Sequence, residues 1–498
     1  MLQADREIIM KKSQVLVAFA LFLTSPAQAE TALDAALNEQ PITFETRTGE
    51  SVEAFRGTLR VPMNRSDPAS GMTELAYVRF PATNENPQNP IVYLSGGPGG
   101  SGISTARGPR FALFMAMRQH GDVIAFDQRG TGQSQKPQLC TSSVKIEDME
   151  QISDADHAER YRQATRECAA IWKAQGVDLR GFTTAESARD LSDLRRHLGA
   201  EKISLWSISY GSHLALAAIA AIPDELDRVI MAATEGLDQT VKLPVRTLRY
   251  FDRLQAAVDA QPESARLYPD ILGLIGRVHA KLAAEPMTIT VPTREGGSYN
   301  LLLQKYHLQQ LAGGLISDPQ SAVVMLMMYR QLDEGDPTLV RLVLQRFWAP
   351  DEPIALSAMT TAMDRASGIT PERLSAFMQQ AEASPVGEYL NFPMPQILSE
   401  LEDLDIGPDF RKGPFGDTPV LMLTGTLDGR TYPEGHKEAT AGLSQVQQII
   451  VENAGHNLFM SSPEVGEAMH NFMRGNAPKS DHIFVQAPDF SKMPDLGG

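Results

Sequence analysis

Long apolar runs, basic clusters and metal-ligand spacings are all missing from this chain. Its N-terminal apolar run, residues 15–23, has nine residues where a bilayer crossing needs about twenty, and no later segment reaches that length. No block of Lys or Arg offers a phosphate-binding face, and the formal charge is −16, which argues against a nucleic-acid partner and weakly favours cationic ones. No His/Cys cluster or carboxylate spacing suggests a metal, so no cofactor is expected. Cysteine is nearly absent. Only Cys140 and Cys168 occur, 28 positions apart, and an exported protein is free to pair them.

What remains is ordinary globular material. The chain has 498 residues, 42% hydrophobic and 21% charged, enough for a large core and for one main domain plus an insertion. Residues 1–29 read as a targeting segment. Lys11-Lys12 precede the apolar run, and Ala27-Gln28-Ala29 puts small residues where a signal peptidase reads, so cleavage after Ala29 and export to the periplasm or medium are expected. The mixed charges before Met10 leave open whether translation starts at Met1 or Met10.

The most informative stretch is Leu205-Trp206-Ser207-Ile208-Ser209-Tyr210-Gly211-Ser212, an apolar strand running into a serine with small residues two positions either side. A serine on so sharp a strand-to-helix turn exposes its hydroxyl, and only small flanking residues let strand and helix approach that closely. Ser209 satisfies this with Ser207 and Gly211. Taking Ser207 as the nucleophile instead puts Leu205 at a flanking position and crowds the turn.

Two partners follow in the order that a serine hydrolase of this type needs. Residues 419–428 read as a buried strand ending in a loop Asp428, and residues 447–456 as the next strand ending in a loop His456. The histidine takes the serine proton and the carboxylate fixes its tautomer. Each role sits at a strand's C-terminal end, where open parallel sheets place their ligands. His436 reads as a solvated residue on an exposed helix, while His213 lies just past the Ser209 turn on the helix it opens and His470 on a C-terminal helix, neither directly after a strand. Residues 89–102 form a strand breaking into a glycine-rich loop, which points to an oxyanion hole built from the amides of Gly97 and Tyr210. The glycine spacing 97-99-102 imitates a dinucleotide fingerprint, but no acidic residue follows at the end of a second strand.

Ser95-Gly-Gly-Pro-Gly99, Asp127-Gln-Arg-Gly-Thr-Gly-Gln-Ser134, Ser207-Ile-Ser-Tyr-Gly211 and the pair Asp428/His456 together resemble the proline iminopeptidase and tripeptidyl aminopeptidase family of serine hydrolases with the α/β-hydrolase fold. The resemblance covers most of the chain after residue 29. Family members usually carry histidine where Ser95 stands and glycine where Ser207 stands. The resemblance implies removal of short N-terminal pieces from peptides, with the free amine held by acidic residues near a cap, and it implies that Asp127 and Arg129 brace the loops around the site.

Strands are expected at 52–62, 74–80, 91–94, 123–126, 203–206 and 229–233, separated by helical stretches, which means a mainly parallel sheet with helices on both faces. The resulting organisation is a hydrolase core at 30–236, a helical cap at 237–414 inserted after the sixth core strand, the rest of the core at 415–476, and a tail at 477–498. Strand signals largely vanish in the cap. Met325, Met327 and Met328 fit either an adaptable pocket or, more often, core. Glu235, with Asp238, sits where the cap begins and is the proposed holder of the substrate ammonium, and Asp364 is a weaker choice; a helix cap or surface acid is an equal reading. The reading is an exported serine aminopeptidase acting on peptides with a free N-terminus. An esterase or acyl-transfer enzyme with the same three residues is the alternative, and a non-catalytic binding module on a hydrolase scaffold is a third. The oligomeric state is left open.

Overall fold

The computed structural model describes Leu37 and residues 39–494. The expected targeting segment at 1–29 lies outside the described residues. The chain divides into two units, Met1–Glu39 and Gln40–Gly498, and all the strands and helices of the described residues belong to the second.

The strands are β1 (Gln40–Glu45), β2 (Ser51–Pro62), β3 (Met72–Phe80), β4 (Ile91–Leu94), β5 (Val123–Asp127), β6 (Cys140–Lys145), β7 (Ile203–Ile208), β8 (Leu226–Ala232), β9 (Met287–Pro292), β10 (Ser298–Leu303), β11 (Pro353–Leu356), β12 (Val420–Gly425), β13 (Val446–Glu452) and β14 (His482–Phe484). Ten of them make one sheet in the order β1-β2-β3-β5-β4-β7-β8-β12-β13-β14. The first three strands pair antiparallel, and β3 pairs antiparallel with β5. From β5 onward every pairing is parallel. Every residue of β4, β5, β7 and β12 is buried, as parallel strands covered on both faces must be.

Alternation along β7 distributes the two faces. Ile203 and Leu205 join one core with the helices Thr184–His197 and Tyr210–Ala221. Trp206 and Ile208 join the other with the helices Phe111–Met117 and Pro463–Met473. The expected mostly parallel sheet with helices on both faces is therefore present. Its C-terminal edge gathers the loops after β4, β7, β12 and β13.

Between β8 and β12 lies a long insertion with its own core, built around Tyr250, Leu254, Ile275, Met325 and Met328. Met325 and Met328 are fully buried, so the methionine stretch is core rather than a pocket lining. The insertion is not purely helical. β9 and β10 form a hairpin, and β11 pairs across more than 200 positions with β6. Cys140 on β6 is disulfide-bonded to Cys168 on the helix Asp154–Ala174. The segment expected as a tail also contributes structure: β14 adds to the sheet edge beside β13, and Phe490 is fully buried in the insertion's core.

Candidate active site

Ser209 occupies the turn between β7 and the helix Tyr210–Ala221 with φ 57° and ψ −130°, a conformation a serine adopts only when its surroundings impose it. Packing does the imposing. A Cβ at Gly211 would stand 2.1 Å from the Leu94 carbonyl oxygen, so only glycine lets the helix start this close to β4. Two positions before Ser209, the Ser207 hydroxyl donates to the Ile230 carbonyl at 2.9 Å and is fully buried. A hydroxyl thus fits where the resembling family has glycine. The Ser209 amide donates to Ala232 O at 3.1 Å, tying the turn to β8.

The glycine-rich loop after β4 lies directly against this serine. A Cβ at Gly96 would come within 2.9 Å of Ser209 Cβ and 3.5 Å of its Oγ. Gly97 follows with φ 123°, which non-glycine residues rarely adopt, and Tyr210 opens the helix. Of the two residues expected to stabilise an oxyanion, Tyr210 directly follows the serine and Gly97 follows Gly96, which touches it. The loop is braced from below. Asp127 accepts from Ser101 Oγ at 2.6 Å, from the Ile103 amide at 3.1 Å and from the Gln133 amide at 2.7 Å. Arg129 is fully buried and forks onto Asp190 at 2.7 and 2.6 Å.

His456 and Asp428 meet. His456 Nδ1 stands 2.9 Å from Asp428 Oδ2. A carboxylate only accepts, so Nδ1 carries a proton, and in the neutral ring Nε2 is the acceptor. Asp428 is fully buried and accepts three further bonds: Oδ1 from the amides of Arg430 (2.7 Å) and Thr431 (2.9 Å), and Oδ2 from the Thr431 hydroxyl (2.6 Å). Burial alone pushes this carboxyl up. The charge and hydrogen bond of His456, with the bonds from Thr431, outweigh it and hold Asp428 below the usual range. Sequence reasoning misses Thr431, although Asp-x-x-Thr is a local side-chain-to-backbone pattern that signals such a turn.

The insertion grips both loops. Gly429 N donates to Ile316 O at 3.0 Å and His456 N to Ser317 O at 2.8 Å. Asn457 N donates to Asp318 Oδ1 at 3.1 Å. Three successive residues of one turn therefore hold the segments carrying Asp428 and His456.

The other histidines considered for the base, His213, His470 and His436, make structural contacts. His213 is buried between Gly236 O (3.0 Å) and Ser367 Oγ (3.1 Å). His470 Nδ1 is hydrogen-bonded to His120 Nε2 at 2.9 Å. The expectation of a solvated His436 is corrected: it is fully buried and bonded to Thr424 Oγ1 at 2.8 Å, because the helix Pro433–Ala439 packs against β12 rather than facing water.

The acids near the insertion divide. Asp238 places both oxygens on Thr370, accepting from its amide at 2.9 Å and its hydroxyl at 2.7 Å, so it anchors the helix Pro371–Ala381. Glu235 is buried and paired with Lys242 Nζ at 2.7 Å. Asp364, on the helix Ala358–Ser367, is half-buried, and its carboxyl has no hydrogen-bond partner among the described residues. Burial and the neighbouring Glu235 charge push Asp364 up to about 7, against the pull of Lys242. One turn earlier on that helix, Thr360 Oγ1 would lie 3.1 Å from a Cβ at Gly99. Asp364 thus stands on a helix that touches the loop beside Ser209. Among the described residues, no group of three or more His, Cys, Asp or Glu could hold a metal ion, and no helix is long and apolar enough to cross a membrane.

The family model of the alpha/beta hydrolase fold matches residues 89–463. The tripeptidyl aminopeptidase of Streptomyces coelicolor is 30% identical over 184 residues, covering 35% of this chain and 34% of that one. The serine protease Hip1 of Mycobacterium tuberculosis is 27% identical over 184 residues, covering 36% and 35%. Carboxylesterase B of the same organism is 30% identical over 169 residues, covering 31% of each. The matched stretch is thus about a third of each relative's length. By the extent of the family match, this chain belongs to the alpha/beta hydrolase fold family.

Proposed function

We propose that the protein is an exported serine aminopeptidase in which Ser209 is the nucleophile, His456 the general base and Asp428 its orienting carboxylate. The observation that carries this reading is the buried Asp428–His456 bond at the ends of β12 and β13, on the same sheet edge as the strained Ser209 at the end of β7. Ser209 Oγ attacks the scissile carbonyl carbon while His456 Nε2 takes the hydroxyl proton. The amides of Gly97 and Tyr210 receive the oxyanion. His456 then gives its proton to the leaving amine, the C–N bond breaks, and an acyl-enzyme remains. Water, deprotonated by His456, attacks that ester and releases the acyl product with Ser209 restored.

The insertion serves as the cap over this site, and its Asp364 receives the substrate's N-terminal ammonium with Glu235 behind it. Glu235 already has Lys242 as counter-ion, so Asp364 is the acid left with a charge to satisfy. The names of two relatives, a tripeptidyl aminopeptidase and the serine protease Hip1, favour peptides as substrates. The third, carboxylesterase B, favours the second reading, an esterase with the same machinery. Export accords with the Cys140–Cys168 disulfide.

The test is twofold. A fluorophosphonate labels the wild type but not Ser209→Ala, and the labelled peptide contains Ser209. Aminoacyl or tripeptidyl amides with a free amine turn over at least 100-fold faster than their N-acetylated forms. Equal turnover of both forms, with simple esters preferred, replaces the aminopeptidase by the esterase.

A further inference from the structure

Away from the nucleophile, the insertion and the disulfide-bonded helix enclose a cavity of about 390 Å³. That lies in the range of about 300–1,000 Å³ of small-ligand sites. Its lining includes no residue of the Ser209 turn or of the Asp428 and His456 loops. The helix Lys305–Leu315 sets the separation: Tyr306 at its start lines the cavity, while Ile316 just past its end holds Gly429. Ten residues at 1.5 Å each put the two about 15 Å apart.

One wall is a run of five rings. Tyr161 meets His157 at 5.4 Å between centroids, His157 meets Tyr306 at 4.6 Å, Tyr306 stacks on His307 at 3.9 Å, and His307 meets Trp348 at 5.5 Å. The histidines are 2% and 1% exposed and Tyr306 is 8% exposed. Burial holds His157 down to about 4 and His307 to about 3, so both are neutral at physiological pH.

The hydrogen-bond pattern fixes what the wall offers. Tyr389 gives its hydroxyl proton to Asp154 at 2.8 Å, so it accepts from His157 Nδ1 at 3.1 Å. His157 Nε2 is then a bare acceptor, with no partner among the described residues. His307 Nδ1 accepts from the Gln304 amide at 3.0 Å, so its Nε2 is a donor, likewise without a partner. The hydroxyls of Tyr161 and Tyr306 also have none. The rim is acidic. Glu147 is paired with Lys145 at 2.9 Å, but neither Asp148 nor Glu352 forms an ion pair among the described residues.

We propose that this cavity binds the guanidinium-bearing residue of a peptide. A guanidinium lies flat on aromatic faces and is drawn by the unpaired rim carboxylates. Its N–H groups meet the acceptors at His157 Nε2 and the tyrosine oxygens. The peptide carbonyl supplies the acceptor that His307 Nε2–H requires. The inference stands on the cavity alone and holds whether Ser209 works on amides or esters.

The test uses N-acetyl-arginine methylamide and its neutral isostere N-acetyl-citrulline methylamide, whose blocked termini keep them off the amine site. The chain has three tryptophans, so 5-fluorotryptophan labelling gives three fluorine resonances, with Trp348 assigned by Trp348→Phe. The arginine compound shifts the Trp348 resonance saturably, and the citrulline compound binds at least 10-fold more weakly. Glu352→Gln and Asp148→Asn, on the rim and outside the core, each weaken the arginine compound about 5-fold and leave citrulline unchanged. Binding survives in Ser209→Ala and in the fluorophosphonate-labelled enzyme. Equal binding of the two compounds, no saturable shift, or displacement by the Ser209 adduct overturns the proposal.

Discussion

On the proposed reading, the pH dependence of amine recognition follows from Asp364. Its carboxyl titrates at about 7, because burial and Glu235 both oppose its ionisation. A peptide α-ammonium loses its proton near 8. Binding in the paired form needs both charges, so their joint population peaks between about 7 and 8. Taking those two values, about 60% of encounters have both charges at pH 7.5 and about 10% at pH 6 or pH 9, a difference of about 6-fold. The assay is the inhibition constant of a free-amine product peptide measured from pH 5.5 to 9.5, which reports binding without the chemistry of His456. Wild-type protein gives a bell of that depth. Asp364→Asn removes the acid limb, keeps the alkaline one, and weakens binding at pH 7.5. An acid limb that persists in Asp364→Asn refutes the assignment, as does an N-acetylated inhibitor with the same bell.

The same group affects stability. An acid with a raised folded value is stabilised in its neutral form, so the wild type loses stability as pH rises from about 4 to about 7. Asp364→Asn is therefore more stable than wild type at pH 8 by up to about 4 kcal/mol, and the gap closes at pH 4; denaturant titrations at both pH values check this. Asp428→Asn still accepts the Arg430 and Thr431 amides, so it folds, but its amide cannot accept His456 Nδ1–H, and kcat falls by about 10⁴ with unchanged circular dichroism. Gly211→Ala drives a methyl to 2.1 Å from Leu94 O and destabilises by about 1–3 kcal/mol in urea unfolding while lowering fluorophosphonate labelling. The double variant Cys140→Ser/Cys168→Ser frees a loop of 28 residues and loses about 3–4 kcal/mol, read in the same way.

What is legible in the sequence is what local chemistry dictates. The turn around Ser209 needs small residues at fixed offsets, so its pattern survives any packing around it. The buried parallel strands before Asp428 and His456 read as apolar runs for the same reason. Pairings made at long range are not legible. β11 has four residues and finds β6 only because the chain returns across more than 200 positions, and β14 is a three-residue edge strand. The β9–β10 hairpin leaves a trace, since the turn Thr293-Arg-Glu-Gly-Gly lies between alternating segments, but a long helical context masks it. The sequence misleads at His436 because the polar string around it describes the outer face of its helix, while the inner face rests on Thr424. Between the acids, only folding distinguishes Asp364 from Asp238, because Thr370 is 132 residues from the latter.

The turn at residues 316–318 ties the insertion to the proposed catalytic pair. Its two carbonyls and one carboxylate clasp Gly429, His456 and Asn457, so exchanging this segment for that of a relative also re-aims the imidazole. A chimera that transplants specificity must carry this tripeptide seam over unaltered, joining the foreign helices on either side of it, or it arrives with the new selectivity and a base pointing away from its serine.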